Sequence, residues 1–379
     1  MRVSIWPLTS VLPDLAFGVV LFFTLSGFLL YRPFVASILR ANPMPSARRY
    51  LRNRALRIAP AYLAILLLVS LVLHSALSRD ASGHLHNGAL TDPGLLARTA
   101  LLTQDYTPNS TLAGIGPAWS LAVEVVFYLA LPGLALLAWR LARPASTRSG
   151  RRVAALVPAA LMLAVGVSGK LVAAHVFHPG IYHGWVADWQ SVVERSFWCH
   201  ADLFAFGMAL AVLRVDAEDG LQRVSRRVRT AAVPLGLLAY LVTARMTGVT
   251  EQVSYSFYNT LMAIAFTCLL AVVVLPARRT KPGLLVRVLE TRPLVWGGLI
   301  SYSVFLWHEP LVRWLQGHEL TIAGVAGLGA NTLLLLGLTA VLSTVTYRYV
   351  ELPALRRKVG GREGRQVPTV PAEQAQAAP

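Results

Sequence analysis

Glu124 stands in one of the most apolar stretches of the chain, Pro117-Ala118-Trp119-Ser120-Leu121-Ala122-Val123-Glu124-Val125-Val126-Phe127-Tyr128-Leu129-Ala130-Leu131-Pro132, a run without a single Lys or Arg. A carboxylate set among hydrocarbon costs several kcal/mol, so such a group either faces a polar cavity and serves a task or is buried in a structural pair. Trp119-Ser120, Glu124 and Tyr128 recur every four or five residues and share roughly one face of a helix that Pro117 is placed to start. Taken alone, Trp119 also reads as an anchor at a membrane boundary. A second titratable pair, His308-Glu309, lies deep in Gly298–Pro310. An imidazole there can act as a base on a hydroxyl, oriented by Glu309 or Glu124; the alternative is a packing histidine bonded to a nearby Ser or carbonyl. Glu124 and His308 are the candidate catalytic groups, with Trp119 and Ser120 beside the carboxylate as candidate substrate contacts.

Two further constellations carry polar chemistry. His200 and Asp202 lie two residues apart in Trp198-Cys199-His200-Ala201-Asp202. Helical positions at that spacing point about 200° apart, so they cannot share one ligand, which argues against a metal. Substrate contact and a structural polar network remain equal readings for them. Arg54 and Arg57, in Arg48-Arg49-Tyr50-Leu51-Arg52-Asn53-Arg54-Ala55-Leu56-Arg57, are one turn apart and can grip a multiply charged phosphate with planar, bidentate geometry. Topology signals and anionic lipid contacts account for Arg48, Arg49 and Arg52, and are the alternative for the pair. Cys199 and Cys268 fall in different apolar runs without metal spacing, so neither a disulfide framework nor a metal centre is expected.

The elements that must position these groups are membrane helices. Hydrophobic residues make up 55% of the 379 and charged residues only 14%, more apolar surface than a soluble core of this size can hide. Apolar runs of bilayer-spanning length occur near 14–39, 57–78, 119–139, 153–176, 197–213, 231–249, 256–276, 293–316 and 323–347. They predict an all-α polytopic protein of about nine transmembrane helices in a single bundle. The formal charge of +17 raises nucleic acid as a partner, but position argues otherwise: segments 40–57, 140–152, 214–230, 276–292 and 348–379 hold 27 of the 35 Lys and Arg. That alternation is the positive-inside pattern, which puts the basic loops and the C-terminus in the cytoplasm of a cell with this protein in its inner (plasma) membrane. The partners expected are therefore a lipid bilayer and small substrates.

The domain reading is one transmembrane unit over 1–355 and a basic, low-complexity, disordered cytoplasmic tail over 356–379. Residues 1–13 resemble neither a signal peptide nor a span, which strands a short N-terminus outside and suggests a helix upstream of Met1. With helix directions set by the loop charges, Glu124, His200 and His308 fall in the outer half and Arg54 and Arg57 at the inner face. This separation suggests a phosphate-bearing donor from the cytosol and an acceptor on the far side.

Five strings in order resemble the acyltransferase 3 family of membrane O-acyltransferases: Leu21-Phe22-Phe23-Thr24-Leu25-Ser26-Gly27-Phe28-Leu29-Leu30, Arg54–Tyr62, Trp119–Glu124, Ile300–His308 and Tyr347-Arg348-Tyr349-Val350-Glu351-Leu352-Pro353. The resemblance implies transfer of an acyl group, often acetyl, from acyl-CoA to a hydroxyl of an envelope glycan, a lipopolysaccharide sugar, an antibiotic or a similar acceptor. It implies Arg54 and Arg57 as a donor-binding pair and Trp119, Glu124, Tyr302 and His308 as site residues, with acyl-CoA as a substrate and no permanently bound cofactor. The family opens with a helix bearing an arginine and, a few turns on, the histidine proposed as catalytic; the expectation is that both lie upstream of Met1. Two other readings remain open. One is a proton-coupled transporter using Glu124 and His308 as a relay, although no internal repeat supports it. The other is a family member made inactive by the missing helix.

Overall fold

The computed structural model describes residues 18–80, 82–177, 186–220, 222–246, 252–275 and 284–357. The expectations for residues 1–13, and those for the tail beyond 357, lie outside the described residues.

Helices form over each of the nine apolar runs: α1 Gly18–Leu39, α2 Ala47–Leu67, α4 Trp119–Ala142, α5 Arg148–Val176, α7 Phe197–Glu218, α8 Gln222–Met246, α9 Gln252–Val274, α11 Arg292–Gly317 and α12 Gly324–Thr346. Shorter helices are α3 Pro93–Ala100, α6 Trp189–Arg195, α10 Leu284–Leu289 and α13 Leu352–Arg356. Seven stretches among the described residues are long and apolar enough to cross a membrane, those built on α1, α2, α4, α5, α7, α9 and α12. Helices α8 and α11 are not among them. Four arginines crowd the first two turns of α8, and α11 carries His308-Glu309-Pro310. The chain is a multi-pass, predominantly helical membrane protein.

One departure from an all-α chain occurs where the second apolar run was expected to continue to residue 78. The helix ends in a π-helical turn, Leu68–Val72, and the chain enters an antiparallel hairpin, β1 Ala76–Arg79 with β2 Leu85–Gly88. Ala76-Leu77 is apolar enough to read as membrane helix, yet both are buried under a cap of loops and short turns. Leu77 exchanges backbone hydrogen bonds with Gly114, and the Tyr62 hydroxyl donates to the Thr99 carbonyl at 2.5 Å, fastening the cap to α2. Within it, the Arg79 guanidinium donates to Gly83 and Thr111.

The bundle is held by close helix crossings and by an ionic network at one end. A Cβ on Gly27 of α1 would lie 2.2 Å from the Phe204 carbonyl oxygen of α7, and one on Gly207 would lie 1.9 Å from that of Thr24. Only glycine permits backbones this near, which is how helices associate where lipid removes the hydrophobic driving force. At the end carrying the basic loops, Arg32, Arg40, Arg148, Arg152 and Arg214 share Asp216, Glu218 and Asp219, joining α1 and α5 to the end of α7. This basic end and the hairpin end are the two poles of the molecule.

Candidate functional site

Glu124 lies in the second turn of α4 and is 1% exposed. Its Oε1 accepts a hydrogen bond of 2.7 Å from the Ser26 hydroxyl, and the Tyr128 hydroxyl one turn on lies against the same carboxylate. Ser26 reaches it because Gly27, its neighbour, draws α1 into contact with α7 and fixes the rotation of α1. The Tyr50 ring of α2 meets that of Tyr128 edge to face with centroids 6.4 Å apart. One turn further along α2, Arg54 lies at the level of Glu124, the register of antiparallel neighbours.

Arg54 and Arg57 are both within electrostatic range of Glu124. This corrects the expectation that depth separates the basic pair from the carboxylate. Arg57 stands ten residues into α2, well past the basic end, which brings it within electrostatic range of Glu124. The arginines differ in commitment. Arg57 donates to Glu351 at 2.9 Å and lies 5.5 Å from the centre of the Tyr302 ring. Glu351 is itself buried and takes a second bond, 2.5 Å, from Ser303. The π-helical turn Tyr347–Glu351 carries this carboxylate; such turns alter side-chain direction without ending a helix. Tyr302 donates from its hydroxyl to the Ile58 carbonyl at 2.9 Å, closing the contact between α2 and α11. The Arg54 Nε, by contrast, is buried and makes no hydrogen bond among the described residues, as do the Tyr50 hydroxyl and the Asn53 Oδ1.

The other candidates fall in three places. Trp119 and His200 come together with ring centres 5.1 Å apart, both against Phe23, and the Arg195 guanidinium lies 5.5 Å from the Trp119 ring. Ser120 is buried and returns its hydroxyl to the Pro117 carbonyl. Asp202 points away from His200, as helical spacing requires, and is bound by Lys170 Nζ at 2.5 Å and the Thr260 hydroxyl at 2.6 Å. His308 is exposed, with its Nδ1 3.3 Å from the Val304 carbonyl, and is not brought into contact with Glu124. Its neighbour Glu309 turns to the start of α4, accepting the Gly116 amide at 3.2 Å and pairing with Arg313. A Cβ on Gly116 would lie 2.7 Å from that carboxylate, which would have to swing aside.

Sequence reasoning passed over Ser26, Tyr50 and Glu351 as site members although each lay in a string already singled out. The signal for Glu351 was present: a second carboxylate just beyond the last apolar run. For Ser26 the only hint was a hydroxyl beside a glycine.

These residues form a polar cluster inside an apolar bundle: the carboxylates of Glu124 and Glu351, the guanidinium groups of Arg54 and Arg57, and the hydroxyls of Ser26, Tyr50, Tyr128 and Tyr302. It can hold an anionic or amide-bearing substrate and present a carboxylate to a hydroxyl. The chain is 21% identical over 347 residues to O-acetyltransferase OatA of Staphylococcus aureus strain NCTC 8325 / PS 47, an alignment covering 90% of this chain and 52% of that protein. The protein of the same name from strain COL aligns equally. The chain thus spans about half the length of the curated relatives it matches. No solved structure matches it. A family model described as an acyltransferase domain covers residues 4–348, so the chain belongs to the acyltransferase 3 family.

Proposed function

We propose that the protein is an integral membrane O-acyltransferase that moves an acyl group, acetyl in the first instance, from cytosolic acyl-CoA to a hydroxyl of an envelope glycan or similar acceptor beyond the inner membrane. The observation that carries this reading is that buried Glu124 lies within electrostatic range of both Arg54 and Arg57. The alternating loop charges support nine crossings with the basic end and the C-terminus in the cytoplasm.

In the reaction, the acceptor oxygen attacks the thioester carbonyl carbon, the C–S bond breaks, and the hydroxyl proton ends on the departing thiol. Glu124, steadied by Ser26, takes that proton and returns it to sulfur. Arg54 and Arg57 bind the donor, and Tyr302 and Glu351 aim Arg57 at it. Trp119, Ser120 and His200 form the acceptor wall at the hairpin end, with exposed His308 at its mouth. Asp202, held by Lys170, supports this wall through α7.

Purified protein supplied with labelled acetyl-CoA and a panel of hydroxyl acceptors tests the reading. Glu124→Gln is expected to lower transfer by roughly 10²–10⁴-fold, the ordinary worth of a general base, with folding retained. Unchanged transfer by a folded Glu124→Gln protein would remove Glu124 from the chemistry.

A further inference from the structure

Tyr50, Asn53, Arg54 and Arg57 occupy positions i, i+3, i+4 and i+7 of α2 and therefore form one face of that helix. Its two ends are anchored: Tyr50 against Tyr128 and Phe34, Arg57 against Glu351 and Tyr302. Between the anchors, three buried polar atoms are left without a hydrogen bond among the described residues: Tyr50 Oη, Asn53 Oδ1 and Arg54 Nε. Buried polar atoms in a folded protein are nearly always satisfied, so three on one face and in one turn mark a place for something with matching groups.

The mixture of types identifies that something. Arg54 Nε can only donate, Asn53 Oδ1 can only accept, and the Tyr50 hydroxyl can do either. A phosphate offers acceptors alone and leaves Asn53 Oδ1 unmet. A secondary amide offers a carbonyl and an N–H together and answers all three. Position agrees: Arg54 is level with Glu124, where bonds would be made and broken, so the part of a donor lying on this face is the part next to its reactive end. The exposed Arg48 and Arg52 lie nearer the basic end, where the distal charge of a donor would fall.

We propose that the Tyr50–Asn53–Arg54 face binds the amide-bearing arm of the acyl thioester rather than its phosphates. This rests on the acyl-CoA reading above. The face acts as a ruler for the donor, seating the thioester beside Glu124 only when an amide lies the right distance behind it.

The experiment compares acetyl-CoA with S-acetylpantetheine, which keeps both amides and lacks the nucleotide, and measures inhibition by adenosine 3′,5′-bisphosphate, which keeps phosphates and lacks the arm. Asn53→Ala and Tyr50→Phe are each expected to raise KM about tenfold for both thioesters, the worth of one hydrogen bond, while inhibition by the bisphosphate is unchanged. Asn53→Asp, which still accepts but no longer donates, is expected to stay within about threefold of the parent protein. Weaker bisphosphate inhibition with unchanged S-acetylpantetheine KM in Asn53→Ala would overturn the proposal, as would an Asn53→Asp protein as impaired as Asn53→Ala. If the parent protein transfers acetyl from neither thioester, the donor reading itself fails, an outcome distinct from either of these.

Discussion

At the scale of single residues, the buried charges divide into those that are paired with an opposite charge and those that are not. Lys170 and Asp202 are paired: both are buried, 2.5 Å apart, and share Thr260. Removing one member of such a pair strands the other and costs about 3–5 kcal/mol, whereas replacing both with apolar groups is close to neutral. Lys170→Met is therefore expected to lower the thermal midpoint in detergent sharply, and Lys170→Met with Asp202→Leu to restore most of it. If the double variant is stable yet inactive, Asp202 has a direct part in the chemistry that its ion pair does not suggest. Glu124 is the opposite case, a carboxylate met by hydroxyls and approached by two arginines, which is why its substitution is expected to act on rate more than on stability. For Glu351→Gln, which leaves Arg57 without its charged partner, the expected outcome is a donor KM raised more than kcat is lowered; an equal fall in kcat alone would place Glu351 in the chemical step.

At the scale of elements, the crossing of α1 and α7 governs the site from a distance. Gly27 and Gly207 let the two backbones touch, and that contact sets the rotation that aims Ser26 at Glu124. Gly207→Ala puts a methyl 1.9 Å from the Thr24 carbonyl oxygen, and backbone cannot swing aside as a side chain does. Overpacking of this kind costs about 1–3 kcal/mol or more. The expected result is a lower thermal midpoint together with reduced transfer, because α1 must move and carry Ser26 with it. A stable Gly207→Ala protein with full activity would show that α1 has latitude the crossing does not suggest. The π-helical turn at Tyr347–Glu351 is a second element-level device, since a regular helix would point Glu351 elsewhere.

At the scale of the whole molecule, the basic end is clasped by acids on α7 and by arginines on α1 and α5. Asp219, just past the end of α7, is held below the ordinary carboxylate value of 3.8, first by the hydrogen bond from Arg40, against the opposing effect of burial, with Arg148 adding to it. Its proton is bound less readily in the folded than in the unfolded chain. The stabilisation is therefore complete above the unfolded value and is lost as pH falls through the lowered one. Acid below pH 3.8 is expected to loosen the basic end, and Asp219→Asn to flatten that acid-side slope in a pH series of thermal midpoints. The group is mostly solvent-facing, so the effect is small and weakens with salt. Sidedness belongs to this scale too: a cysteine placed at Arg48 is expected to react with a membrane-impermeant reagent only from the cytoplasmic side, and one at Asn109 only from the other.

The sequence by itself determined that the chain lives in a membrane, where its long helices run, and which few polar residues demand explanation. These are local properties: spanning length is counted along the chain, and the cost of a charge in hydrocarbon is incurred wherever its helix packs. Only the tertiary structure decided which of those residues meet. Arg54 joins Glu124 through the antiparallel register of α2 and α4, Arg57 joins Glu351 across 294 residues, and Asp202 is taken by Lys170 while His308 turns outward. Depth and rotation of each helix come from backbone contacts such as Gly27 with Phe204, and a contact between two distant residues has no trace in the hydropathy of either run. The same holds for the hairpin, where Ala76-Leu77 has the composition of a span and the burial of a cap.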